Sequence, residues 1–231
     1  MLLTGTSLRV TYRSVTFRQG LFGNKSAMVA KNQTADCAPS CGGPRKNAAA
    51  RIFDTARELF YRRGIRAVGV DEIVCSAGVT KPSLYRSYAS KDDLVAACLT
   101  SYADESRVTI DAKLEAAGPE PLGKLYALID HYAGQTSDPN FRGCPMTNSA
   151  VEFPESDNPG RSIAETCKSE VRDRILDLAR QLDTKEPESL TDGLLLLIEG
   201  AYSTHHIFGS QGPSGCLRKS AGRLIESYLK R

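Results

Sequence analysis

The chain lacks most of what an enzyme of a familiar kind would need. Its 231 residues hold three histidines, at 131, 205 and 206, and no GxSxG, HExxH, phosphate-loop or dinucleotide fingerprint, so catalysis is not expected. A membrane span is missing as well. Such a span takes roughly 18 consecutive apolar residues, and the densest run, Leu194 to Ile198, has five. The seven cysteines (37, 41, 75, 98, 144, 167 and 216) are odd in number and scattered, unlike a disulfide-stapled secreted domain, and a reducing cytoplasm fits them best. Metal ligands are poorly placed too. Cys37-x3-Cys41 has no second pair or nearby histidine, and adjacent His205 and His206 would project roughly 100° apart on a helix. Neither metal nor cofactor is expected.

Acids are scarce at one end. Residues 1–46 contain one, Asp36, against seven basic residues. With Gly, Ser, Thr and Asn throughout, they read either as a flexible arm over 1–45 or, up to Met28, as an over-long gene start. Their acid-poor, Arg-containing character imitates a transit peptide without the apolar core of a secretory signal. Asn32-Gln33-Thr34 matches a glycosylation acceptor, a pattern short enough to arise by chance. Over residues 1–103, Lys and Arg number 15 against 7 acids, whereas residues 104–231 carry 15 against 20. One end is built to meet an anion, with nucleic acid the first candidate.

What is present is helical period. With 41% hydrophobic residues the chain can build a core. From Asn47, the residues Ile52, Phe53, Ala56, Leu59 and Phe60 form an apolar stripe that stops at Gly64. A second helix begins near Gly69-Val70, with Asp71 and Glu72 in its first turn, and ends at Ala77-Gly78. Further helices are expected to about Ala117, over Leu122 to Gly134, Asn148 to Glu152, Arg161 to Leu182, Glu188 to Phe208 and Ser214 to Lys230. No alternating strand pattern survives near a hairpin turn, so the fold class is all-α.

The stretch "AGVTKPSLYRSYASKDDL", Ala77 to Leu94, carries the functional reading. Thr80 is expected to cap a helix beginning at Lys81, with Pro82 tolerated in its first turn. Leu84 and Tyr88, four apart, should pack inward and leave Lys81, Pro82, Ser83 and Arg86 facing out. Two short helices joined at Gly78 make a helix-turn-helix whose second helix reads the major groove of double-stranded DNA. Ser90 with Asp93 resembles a capping box, and at that helix mouth Lys91, with Tyr85 nearby, would seat phosphates.

"GIRAVGVDEIVCSAGVTKPSLYRSYASKDDLVAACL", Gly64 to Leu99, resembles the N-terminal domain of the TetR family of bacterial transcriptional regulators. The order of its glycine-hydrophobe opening, "AGVT", "LY" and "SKDDL" carries the resemblance. It implies a helix-turn-helix domain over 46–106, with its motif at about 69–88, and DNA contacts at Thr80, Lys81, Ser83, Tyr85 and Lys91. Val68-Gly69 stands where the family usually has two hydroxyl residues, and Ser87-Tyr88 where it usually has His-Phe. The resemblance further implies that 107–231 form a helical effector-binding and dimerisation domain, and that the protein is a regulator, with repressors the commoner kind.

The residues support a homodimer independently. Leu194 to Ile198 is apolar on every side, and Leu217, Ala221, Leu224, Ile225 and Tyr228 form a broad stripe. With Leu194, Leu197 and Ala201, that stripe would close an interface between two copies and so span two half-sites of a roughly palindromic operator; packing within one chain would produce the same pattern. For a small-molecule effector of unspecified kind, Tyr126, His131, Phe141, Cys144, Met146, Asn148, Phe153, Tyr202 and His205 are the candidate pocket residues. The alternative is a helical interaction module, or an enzyme, whose helix-turn-helix no longer reads DNA.

Overall fold

Asn47 opens the first helix because its side chain satisfies a free first-turn amide: Oδ1 accepts from the Ala50 N–H at 2.8 Å. The computed structural model describes residues 47–155 and 157–230; the expectations for the arm, Cys37, Cys41 and the Asn32 pattern lie outside them. Helix α1 (Ala48–Arg63) ends at Gly64, which takes φ 90° and donates to the Phe60 carbonyl. Ile52, Ala56 and Phe60, each four apart, are buried, and the two large side chains contribute roughly 1.5–3 kcal/mol each.

Helices α2 (Val70–Ser76) and α3 (Lys81–Ser87) and the start of α4 (Lys91–Ala116) close on α1. Their core includes Ile52, Val68, Ile73, Leu84 and Leu94, all fully buried. With 26 residues, α4 is about 39 Å long at about 1.5 Å per residue. It runs from this head core, through Leu94, Cys98 and Leu99, to a second core that it joins at Ile110.

The second core is built by α5 (Pro121–Gln135), α7 (Pro159–Gln181), α8 (Pro187–Phe208) and α9 (Leu217–Tyr228), while α6 (Pro145–Glu152) bridges towards the head. Leu125, Ile129, Ile175, Leu190 and Leu194 are fully buried there. Among the described residues there is no strand, only an isolated bridge between Thr184 and Leu229. The fold is all-α. No described helix is long and apolar enough to cross a membrane.

Three expectations shift. α6 starts at Pro145 rather than near Asn148, because proline suits a first turn that has no amide acceptor to lose. α9 starts at Leu217 rather than Ser214. Gly209, at φ 67°, ends α8, and two short 3-10 turns (Gly209–Gln211 and Pro213–Cys216) precede α9. The third concerns the interface set. Leu194, Ala201, Leu217, Ala221 and Ile225 are buried in the chain's own core, and Leu197, Leu224 and Tyr228 are partly buried against it. Gly193 serves that internal packing, since a Cβ there would come within 2.9 Å of Leu224 Cδ2. Nor is α8 buried all round: Leu196 is 74% and Ile207 71% exposed, and with Gly200 and Ser203 they share one outward face.

Candidate nucleic-acid interface and ligand cavity

The turn before the reading helix is set by backbone chemistry. Gly78 sits at φ 61°, and its N–H donates to the Cys75 carbonyl at 3.0 Å while that of Val79 reaches Val74 at 2.9 Å. This paired closure is the Schellman motif, which favours glycine because a side chain strains the left-handed conformation. The chain then enters α3 through an extended Thr80, whose carbonyl accepts from Ser83 and Leu84.

Thr80 occupies the cap position without capping. Its hydroxyl makes no bond to a first-turn amide and lies 3.0 Å from the Ser83 hydroxyl instead. Ser83 Oγ also accepts from Arg86 Nη2 at 2.9 Å, so Thr80, Ser83 and Arg86 form one polar ribbon on the outer side of α3. Pro82 is exposed in the first turn, and Tyr85 is 47% exposed. Lys81 Nζ pairs with Asp71 Oδ1 at 2.9 Å, and that carboxylate raises the lysine pKa. On the inner side Leu84 is fully buried, while Tyr88 packs half-buried on the head core.

At the mouth of α4, Ser90 Oγ accepts from the Asp93 amide at 3.0 Å and donates to the Asp93 carboxylate at 2.8 Å, close to the expected capping box. Lys91 departs from its expected role. Its ammonium turns inward, donates to the Ile65 carbonyl at 2.6 Å and lies 5.8 Å from the centre of the Phe60 ring; burial lowers its pKa. The residue as a whole is half-buried. α2, as its Val68-Gly69 opening suggests, has no side-chain cap.

A contact that local sequence does not announce holds the head from behind. Glu152, at the end of α6, accepts from the Ile65 amide at 3.0 Å and the Arg66 amide at 2.7 Å. Tyr61 adds a second tie: its hydroxyl accepts from the Arg142 amide at 2.8 Å and approaches the Gly143 carbonyl at 3.3 Å. The partners are more than 80 positions apart in sequence.

Between the cores lies a cavity of about 290 Å³. Of the expected pocket residues, His131, Cys144, Met146 and Tyr202 line it. Phe141 and His205 stand behind that wall, Phe141 edge-on to Tyr202 at 4.7 Å and to His205 at 5.5 Å. The others fall elsewhere. Tyr126 lies under Arg218, 5.3 Å from its guanidinium. Asn148 donates to the Arg142 carbonyl and lines a separate space of about 20 Å³. Phe153 packs on the head core near Arg66. Side-chain direction on α5, on α6 and at Phe153 just past its end, which composition does not reveal, sends these three away.

Residues not anticipated complete the lining, among them Arg57, Glu105, Tyr132, Gln135 and Lys168. Arg57, from α1 of the head, clasps Glu105 through both terminal nitrogens and lies 4.1 Å from the centre of the Tyr102 ring. Lys168 pairs with Glu199, whose other oxygen accepts from Thr147 at 2.9 Å. Burial pulls the Lys168 pKa down, but Cys144 and Glu199 pull it up further, and the net direction is upward. His131 Nε2 lies 3.0 Å from Gln135 Nε2, and Gln135 Oε1 accepts from the Tyr202 hydroxyl at 3.1 Å. Burial lowers the His131 pKa, consistent with a neutral ring that accepts from Gln135. Because Arg57 belongs to the head, one cavity wall is part of the helix-turn-helix domain itself.

Residues 52–98 match the family model described as bacterial regulatory proteins, tetR family. The chain is 41% identical over 61 residues to the transcriptional activator FasR of Mycolicibacterium smegmatis, a stretch covering 26% of this chain and only 28% of FasR. It is 24% identical over 159 residues to the transcriptional repressor BdcR of Escherichia coli, covering 69% of this chain and 79% of that one. In three dimensions it is similar to a TetR-family transcriptional regulator from Streptomyces coelicolor, with a TM-score of 0.72, 27% identity and coverage of 79% and 96% of the two chains.

Proposed function

Taking the chain as what its head domain and fold make it, a TetR-family transcriptional regulator, we propose that it represses transcription as a homodimer on a roughly palindromic operator and lets go when a small molecule fills the cavity. The observation that carries this is the outer side of α3, where Lys81, Ser83, Tyr85 and Arg86 stand together over a buried Leu84. Lys81, Ser83 and Arg86 contact base edges, the Lys81 ammonium also reaching the adjacent phosphate, Pro82 fits the groove wall, and Thr80 and Tyr85 donate hydroxyls to phosphates. The fifth contact carried by the family resemblance is moved: Lys91 meets phosphate through its backbone amide at the mouth of α4, its ammonium being engaged with Ile65.

One recognition helix reads only a few base pairs, so two copies are needed for a specific site. The outward face of α8, with Leu196, Gly200, Ser203 and Ile207, supports self-association, because an apolar strip of this kind is costly to leave in water. Repression is favoured by the similarity to BdcR, named a repressor, over 159 residues, against 61 for FasR, named an activator. Release follows if the ligand prefers a state whose two reading helices no longer match the half-sites, since a ligand with equal affinity for both states shifts nothing.

The test is selection of bound fragments from the source genome by the purified full chain, followed by footprinting. The expected result is a two-fold-related protected site about one helical turn between half-site centres, bound by two or a multiple of two subunits. Recovery of no enriched fragment would instead support the interaction-module alternative.

A further inference from the structure

We propose that the cavity between the two cores takes a small, uncharged molecule with a flat ring and a carbonyl oxygen, and that Lys168 and Tyr132 receive that oxygen. This rests on the effector reading above and names the ligand class that it leaves open.

Size sets the first limit. A cavity of about 290 Å³ would hold roughly ten waters at about 30 Å³ each, so the ligand has on the order of a dozen non-hydrogen atoms. Shape sets the second. Tyr132 and Tyr202 meet edge-on, with ring centres 5.9 Å apart at 65°, and Met146 and Val171 add apolar wall. A flat ring fits between such surfaces and gains from edge and face contacts with them.

Charge decides the class. Both oxygens of Glu105 are held by Arg57, and both oxygens of Glu199 are held, one by Lys168 and one by Thr147. An ammonium ligand therefore meets no uncommitted carboxylate. A carboxylate ligand would have to share the Lys168 ammonium with Glu199, setting two like charges around one cation. Either ion would leave water without a counter-charge of its own to meet.

Hydrogen-bond inventory then selects the neutral group. Lys168 has three N–H donors, spends one on Glu199 and turns a second towards Cys144, which leaves one. Among the described residues the Tyr132 hydroxyl makes no hydrogen bond, whereas that of Tyr202 is committed to Gln135. The free ammonium hydrogen can only donate and the Tyr132 hydroxyl can donate as well as accept, so a carbonyl oxygen with two lone pairs answers both. A buried donor left unmade is costly, so the preference should be sharp.

The experiment is calorimetric titration of the full chain, without DNA, with four ligands on one skeleton: 1-acetylnaphthalene, 1-ethylnaphthalene, 1-naphthoate and 1-(1-naphthyl)ethylammonium. The ketone should bind roughly tenfold tighter than the ethyl compound, the worth of a hydrogen bond to a charged donor, and tighter than either ion. Tyr132→Phe should shrink that ratio while leaving the ethyl compound's affinity unchanged. Lys168→Met should do the same, and it is paired with Glu199→Gln so that no bare carboxylate remains if the single variant fails to fold. The proposal is overturned if an ion binds tightest, if the ketone has no advantage, if its advantage survives both substitutions, or if none of the four binds. Operator binding is read separately: a chain that binds DNA but not the ketone overturns only this proposal, whereas one that binds the ketone but no DNA overturns the regulator reading.

Discussion

Lys81, the first residue of the reading helix, is held at 2.9 Å by Asp71 from the first turn of the helix before it. Both side chains are at least half exposed, so the pair adds little to stability. It matters at the DNA surface, where phosphate must compete with Asp71 for the same ammonium and Asp71 itself repels the backbone. Asp71→Asn should therefore tighten binding to any duplex and steepen the dependence of log K on log salt by about one phosphate's worth. Parallel salt titrations of the two proteins check it; an unchanged slope would mean that Lys81 does not meet phosphate.

Caps and turns were open to reading from the chain because they are decided within five residues. Asn47, Gly64, Gly78 and Ser90 each end or begin a helix where their chemistry requires. Thr80 has the right type and position but bonds to Ser83 instead, a choice between two nearby partners that residue type does not decide. The ties between distant segments left no such trace. Glu152 to Ile65 and Arg57 to Glu105 span 87 and 48 positions, and any acid or base on an exposed helix face would look the same. The run Leu194–Ile198 misled for a related reason: composition gives apolar character without saying which residues face inward, and Leu196 does not. In the cavity, four of nine expected residues fell on the lining, since aromatic and thiol residues are common to every part of a core.

Gly78→Ala places a Cβ at φ 61° with no close contact, its nearest neighbour being Arg51 Nη1 at 3.7 Å. The cost is then backbone strain alone, about 1–2 kcal/mol. Urea unfolding should move by that amount. A loss of DNA affinity larger than the stability change accounts for would show that the turn also aims α3.

Glu152→Ala removes an acceptor from two backbone amides, those of Ile65 and Arg66. A hydrogen bond to a charged group contributes about 1.5–3 kcal/mol, and with part of the site exposed to water we expect a loss of about 2 kcal/mol. Hydrogen exchange should quicken at those two amides before it quickens in α1. Uniform quickening would assign Glu152 to global stability rather than to the α1–α2 loop.

His131 makes stability depend on pH in a defined direction. Burial, then the positive charge of Lys113, lowers its folded pKa below the ordinary value of about 6.5. The folded state thus binds fewer protons than the unfolded one. Its contribution is fully present above about pH 6.5 and is lost as pH falls from there through the lower folded pKa. Protonation also ends the role of Nε2 as acceptor from Gln135. Melting curves between pH 7.5 and 5 should fall less steeply for His131→Gln than for the parent; identical slopes would mean that another group governs the loss.

The most direct test of the account is a fluorescence anisotropy titration of the full chain against its selected operator across a salt series. Affinity should fall linearly with salt on logarithmic axes, as counterion release from phosphates requires, and Lys81→Ala with Tyr85→Phe should together weaken binding, the lost Lys81 charge flattening that slope by about one contact. Binding that ignores salt, or that survives both substitutions unchanged, would contradict the assignment of α3 as the element that reads DNA.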